Sequence, residues 1–380
     1  MASITDEESM DTAGSPRSTL GSPSSDDNSI RTPEQTSSWE RIHLIELKMQ
    51  LTSFCDVSKS PSDIINMLGK YPDIIKALEK GQTSSKTRIT SAGEAPANEA
   101  AMEARVKDLE GKLRDTLAVL NEEFKTMTIK KAVQLSKQTD LWKVKGCGED
   151  TFIDRFQESG LSFAMWLRHC IYQRDVCEVK VSEFMFQHLF VLFLQMFGVK
   201  CTFVPGIPKK TMTVRDQSVS GIPDILASVY LNEKKTLDSK TLFVGEVKRN
   251  YDGRSYEPQS KRLRSAVKER PDPMPDTLLG QHGAELLLYY PTSLSDKAII
   301  GMIVEETHVS FTSLTCTGDQ YKSLLNGSLK KDTKSGPELV FTRPYDYMVQ
   351  KDRDDLIEPL LRLGLIQEVG ERYLNENLLQ

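Results

Sequence analysis

Residues 220–250 read SGIPDILASVYLNEKKTLDSKTLFVGEVKRN. Two apolar runs, 225–231 and 241–247, flank a turn rich in Lys and Asp, which predicts a β-hairpin. Asp224 follows Gly221, Ile222 and Pro223 at the start of the first run, and Glu246 and Lys248 flank Val247 at the end of the second. Side chains alternate across a strand, so Glu246 and Lys248 face one way while Val247 points into the core. Pairing of the two runs as neighbours puts Asp224 beside that couple. Two carboxylates and an ammonium then converge at one sheet edge.

That trio suits phosphodiester cleavage. Hard oxygen ligands hold Mg²⁺ or Mn²⁺ and leave positions for water and phosphate oxygens. The ion acidifies a bound water and neutralises charge developing on the phosphate. Lys248, a compact point charge, orients or deprotonates that water or stabilises the pentavalent phosphate.

Pro223-Asp224, a spacer and then Glu246-Val247-Lys248 resemble the signature of the PD-(D/E)xK nuclease superfamily, which includes restriction-endonuclease-like and RecB-like enzymes. The resemblance implies an α/β fold, a central mixed β-sheet flanked by helices, and hydrolysis of DNA or RNA with Mg²⁺ or Mn²⁺ as cofactor. Asp224 and Glu246 would hold the ion, aided by the Val247 carbonyl, with Lys248 assisting the water nucleophile. Many members carry an acidic residue on the helix before the sheet, and Glu183 matches it; a glutamate favoured by the dipole of a helix N-terminus is the other reading. RecB-like members have a Gln-x-x-x-Tyr on the helix after the Glu-x-Lys strand. Here Gln281 is followed four residues on by Glu285, with Tyr289 a turn further, so the match is partial. Gln281 is expected to bind nucleic acid or position the water.

Composition sets the outer bounds. The chain has 380 residues, 38% of them hydrophobic, and a formal net charge of -5, so any basic surface is local. Its six cysteines show no CxxC pair or zinc spacing and read as reduced thiols of an intracellular protein, nuclear or cytoplasmic. Residues 184–197 are too short, and too interrupted by Gln187, His188 and Gln195, to span a membrane.

In chain order, residues 1–38 are rich in Ser, Thr, Asp, Gly and Pro and read as a disordered tail. Residues 39–80 form a short helical module of two helices, which either docks partners or packs on the next domain, and 81–98 a linker. Residues 99–139 carry Met102, Val106, Leu109, Leu113, Leu117, Leu120 and Phe124 at heptad-like spacing. They form either a homodimerising coiled coil or a helix laid against the next domain. A nuclease-like domain spans 140–345, and a C-terminal helix and tail 346–380. Residues 181–197 predict its most apolar helix, capped by Ser182 and stopped at Gly198. Strands are expected at 199–204, 298–305 and 308–315, a helix at 276–290, surface at 321–334 and an amphipathic helix at 352–364.

The polar segment 251–275 sets Arg254, Lys261, Arg262, Arg264, Lys268 and Arg270 against four acidic residues. It reads as a nucleic-acid-binding loop with Tyr251 and Tyr256 available to stack on bases, as a solvated loop, or, at Lys261–Arg264, as a nuclear-localisation signal. Two functions of another class stay open. One is a catalytically silent nuclease-like domain serving as a binding scaffold. The other is an oligomeriser built on the 99–139 helix.

Overall fold

The computed structural model describes residues 32–51, 59–69, 74, 99–145, 150–233, 236–249, 274–329 and 336–378. The loop 251–273, with Tyr256, Lys261, Arg262 and Arg264, lies outside the described residues, as do residues 1–31 and the 81–98 linker. The helices are α1 (Arg41–Glu46), α2 (Pro61–Asn66), α3 (Glu99–Leu117), α4 (Ile129–Lys137), α5 (Thr151–Asp175), α6 (Glu183–Met196), α7 (Asp276–Tyr289), α8 (Gly318–Leu325) and α9 (Gln350–Leu378). The strands are β1 (Gln50–Leu51), β2 (Thr202–Phe203), β3 (Lys210–Val214), β4 (Gln217–Gly221), β5 (Ile225–Glu233), β6 (Thr236–Lys248), β7 (Ala298–Glu305), β8 (His308–Thr315), β9 (Glu338–Phe341) and β10 (Tyr345–Asp346).

Eight strands build one mixed sheet in the order β1-β9-β8-β7-β6-β5-β2, with β10 beside β8, while β3 and β4 form a separate hairpin. The β6–β7 and β1–β9 contacts are parallel, and the β5–β6 and β7–β8 contacts are antiparallel. The fold class is therefore the expected one: α/β, with a central mixed sheet flanked by helices. Parallel neighbours need a crossover, and α7 supplies it between β6 and β7.

Helices cover both faces, so the central strands are apolar on both sides. Along β7, Ile300, Met302 and Val304 join the core that contains α3, α5, α6 and α9, while Ile299 and Ile303 join the core that contains α7 and α1. On β6, Val247 belongs to the first core and Val244 to the second, so Glu246 has the parity of the α7 side.

Helix α6 starts where Ser182 Oγ accepts from the Met185 N–H, and it ends before Gly198, whose φ of +78° suits a residue without Cβ. Its buried Phe193 stacks on Tyr347 with centroids 4.7 Å apart. Although this helix is the most apolar of the chain, its Phe184 is 53% exposed.

Several N-terminal expectations are corrected. The 99–139 segment is two helices rather than one, with Leu120, Phe124 and Met127 buried in the turn between them. The seam of Met102, Val106, Leu109, Leu113 and Leu117 is buried within the chain, packed in the core it shares with α9. Of the two readings, the packed one holds, and this seam has no free apolar face left for a homodimer. Residues 39–80 are not a separate module: α2 shares that core, and β1 pairs with β9 at the sheet edge. The 321–334 stretch is not wholly surface, since Leu324 of α8 is fully buried. Helix α9 also runs well past residue 364.

Residues 32–38, placed in the tail on composition, are held by backbone bonds rather than by apolar burial. The Ser220 N–H donates to the Glu34 carbonyl at 2.8 Å, and the Trp39 indole, fully buried, donates to the Pro33 carbonyl at 3.0 Å. Two glycines admit this strap. A Cβ on Gly221 would lie 2.3 Å from Thr36 Oγ1, and one on Gly280 would lie 2.3 Å from the Glu40 backbone. We therefore expect Gly280→Ala to cost about 1–3 kcal/mol, because backbone meets backbone and neither yields. Urea unfolding reads this directly, and an unchanged midpoint would mean that the strap does not bear on α7.

Candidate active site

The register between β5 and β6 assembles the site. Ile225 pairs with Gly245, so the residue before the first meets the residue after the second, and Asp224 comes to Glu246. Asp224 Oδ2 accepts the Val247 N–H at 2.8 Å, and the Asp224 carbonyl accepts from Gln187 Nε2 at 2.6 Å. Gln187 is thus a positioning residue that the sequence reading passed over. Its signal was a polar side chain inside an otherwise apolar helix.

Glu246 is completely buried between the sheet and α7. Its Oε1 takes the Lys248 ammonium at 2.5 Å and the Gln281 Nε2 at 2.7 Å. The same Gln281 nitrogen reaches Glu285 Oε1 at 3.2 Å, so one amide bridges two buried carboxyls. Glu285 is the second residue missed. Its signal was the four-residue spacing from Gln281, which sets both on one face of the helix. Glu183, at the first turn of α6, closes on Lys248 with Oε1 at 3.7 Å from Nζ. Asp224, Glu246, Lys248, Glu183 and Gln281 are therefore all brought together. Val247 contributes its N–H to Asp224, which ties the middle residue of the tripeptide to the opposite strand.

Electrostatics follow from this crowding. Burial, and then the Asp224 charge, push the Glu246 carboxyl up to about 8, even though Lys248 pulls it back. Burial and then Glu246 hold Glu285 well above the ordinary carboxylate range. Asp224 is raised by burial, against the Val247 N–H and Lys248. Burial pulls the Lys248 ammonium down, but Glu246, Asp224 and Glu183 together overcome it and hold it above its ordinary value. Lys248 is therefore fixed as a cation. Four acids, Asp224, Glu246, Glu285 and Glu183, crowd together with that one ammonium, and protons make up the difference.

Two carboxyl oxygens, Glu246 Oε2 and Glu285 Oε2, are buried without a hydrogen-bond partner among the described residues. Orphaned acceptors of this kind are costly and call for a cation or a proton. Among the described residues no three His, Cys, Asp or Glu side chains are already spread at metal-ligand spacing. The carboxyls are instead bonded by the chain itself: Glu246 to Lys248 and Gln281, Glu285 to Gln281, and Asp224 to the Val247 N–H. The donor chemistry nevertheless fits a hard divalent ion, which takes carboxylate and carbonyl oxygens. Nearby, His282 is fully buried and bonds Thr312 Oγ1 at 2.8 Å; burial drives its pKa down to about 3, and it fills the core as a neutral ring.

Elsewhere, Cys170 and Cys316 are buried, Cys177 is exposed, and with Cys201 all are free thiols. Among the described residues no helix is long and apolar enough to cross a membrane. Comparison with models of known families, with curated proteins and with solved structures finds no match for this chain.

Proposed function

We propose that the chain is a metal-dependent nuclease of the PD-(D/E)xK type, hydrolysing phosphodiester bonds at the edge where β5 and β6 meet. The observation that carries this reading is the convergence of partly buried Asp224 and fully buried Glu246 beside Lys248 and Glu183, with buried Glu285 joined to Glu246 through Gln281. Helix α6, strands β2, β5 and β6, helix α7 and strand β7, with the β3–β4 hairpin inserted after β2, support this reading. The glutamate and lysine stand at the carboxyl end of a strand that begins a parallel crossover, a usual place for ligands in α/β sheets.

Asp224 and Glu246 would hold Mg²⁺ or Mn²⁺, with the Val247 carbonyl and Glu183 adjoining. A bound ion supplies charge neutralisation on the phosphate and an acidified water. The protein's own part is positional and electrostatic. Gln187 fixes the Asp224 backbone, and Gln281 holds the Glu246 carboxyl against α7. Lys248, kept protonated by its acidic neighbours, serves as a fixed positive charge for a phosphate oxygen rather than as the base.

Calorimetric titration of Mn²⁺ into the full chain tests the reading. We expect binding in the wild type that is lost in both Asp224→Asn and Glu246→Gln, and that strengthens as pH rises toward 8, because the ion displaces protons from the cluster. A wild type that takes no Mn²⁺, with or without an added oligonucleotide, would leave a catalytically silent binding module instead.

A further inference from the structure

Beside the carboxylates lies a surface of unusual composition. Phe184, Val204 and Ile222 are 53%, 40% and 40% exposed. Phe184 follows Glu183 and Ile222 lies two residues before Asp224, while Val204 follows Phe203, whose strand pairs with β5 at Ile225, next to Asp224. One turn beyond Phe184, Gln187 donates to the Asp224 carbonyl. The same short stretches therefore supply the acids and the apolar surface.

Behind Phe184 the rings form a ladder. Phe184 stacks on His188 with centroids 6.3 Å apart and planes at 21°. His188 meets the edges of Trp166, at 4.3 Å, and Phe203, at 6.0 Å. The Trp166 indole donates to the Met185 carbonyl at 2.9 Å, which fixes the ladder to α6. The outermost ring is thus held in orientation from behind while its outer surface meets solvent. Single exposed apolar side chains need no explanation, but a supported aromatic ring contiguous with a charged site does.

We propose that this ledge is a stacking platform for an unpaired base, which makes single-stranded nucleic acid the substrate class of the site. The inference rests on the nuclease reading for the position of the phosphate, though not for the binding itself. A duplex keeps its base faces buried in its own stack, whereas a single strand offers them to aromatic side chains. The order of parts suits it: acids and Lys248 at the strand ends for the phosphate, and Phe184 one residue away for the neighbouring base. Trp39 and Trp142 are almost wholly buried, so of the three tryptophans only Trp166 is placed to report an arrival at this surface.

The test is fluorescence anisotropy with labelled oligothymidylate and with a labelled duplex, using the full chain in chelator so that nothing is cleaved. Phe184→Ala should weaken single-strand binding about 5- to 150-fold, the factor carried by one base on one ring, and leave duplex binding as it was. Oligothymidylate should quench Trp166 in the wild type and not in the variant, and Phe184→Trp should restore binding. Because Phe184 is half-exposed, circular dichroism of the alanine variant should match the wild type. Unchanged single-strand affinity in Phe184→Ala, or binding without quenching of Trp166, overturns the platform and marks the ledge as a protein-docking face. Binding that depends on Phe184 in a chain that cleaves nothing with Mn²⁺ keeps the platform and removes the nuclease reading. Cleavage indifferent to Phe184 does the reverse.

Discussion

Glu246→Gln is expected to lower cleavage by about 10³-fold or more, since a metal ligand accounts for several kcal/mol of transition-state charge stabilisation. The same change should stabilise the fold, increasingly so toward pH 8. Glu246 is isosteric with its amide, lies wholly buried, and sits between Asp224 and Glu285. Its carboxyl is raised from the ordinary 4.5 to about 8, so the folded chain holds a proton there that the unfolded chain has released. Across that interval the wild type loses stability as pH rises, and the amide removes the loss.

Lys248, also raised, adds a loss of the same sign as pH climbs, but only above its ordinary value of 10.5, outside the window. The variant deprives Lys248 of its nearest partner and leaves it Glu183 at 3.7 Å. Thermal unfolding of both proteins in chelator at pH 5 and pH 8 measures the effect as a difference that widens with pH. A difference independent of pH would mean that Glu246 is ionised throughout, and the charge description of the site would fall.

Arg353→Leu should cost about 3 kcal/mol or more, the largest single loss expected outside the site. Arg353 is fully buried and donates to the carbonyls of Tyr347 at 3.1 Å and Leu117 at 2.7 Å, and to that of Leu120. It closes the C-terminus of α3, where the last carbonyls have no partner within the helix. Burial lowers its pKa to about 10, so its desolvation is a real debit that leucine would cancel. The Leu117 carbonyl keeps the Leu120 N–H at 2.9 Å, but the carbonyls of Tyr347 and Leu120 lose their Arg353 donor and outweigh that relief, at about 1–3 kcal/mol each. Urea denaturation of Arg353→Leu and Arg353→Lys separates charge from fork geometry. A loss below about 1 kcal/mol in the leucine variant would mean that the carbonyls find other donors.

The strands of the site were legible because their sequences satisfy several local rules at once. Residues 298–305 and 308–315 are apolar runs with a two-residue turn between them, and the structure ends β7 and β8 at those residues. Asp224 and Glu246 meet because antiparallel pairing of neighbouring runs admits little else. What stayed hidden is non-local. Ile42, Ile45 and Met49 have helical spacing, yet Ile42 and Ile45 are 40% and 48% exposed and the helix stops at Glu46. The next residues pair with a strand almost at the other end of the chain, which no periodicity announces. The α3 seam was plain, but its partner α9 was not, because a heptad pattern names the buried stripe and not what buries it. Glu285 was visible as a charge on an apolar helix; only the depth of the site turns it into a neighbour of Glu246.

The strap of residues 34–40 lies against Gly221 and Gly280, and β1 waits for β9 at Glu338. Translation makes those residues about 185 to 290 residues ahead of their partners, a lead on the order of ten seconds to a minute at about 5–20 residues per second. The sheet edge and the strap's seats on Gly221 and Gly280 are therefore closed by residues that precede their partners by most of the domain.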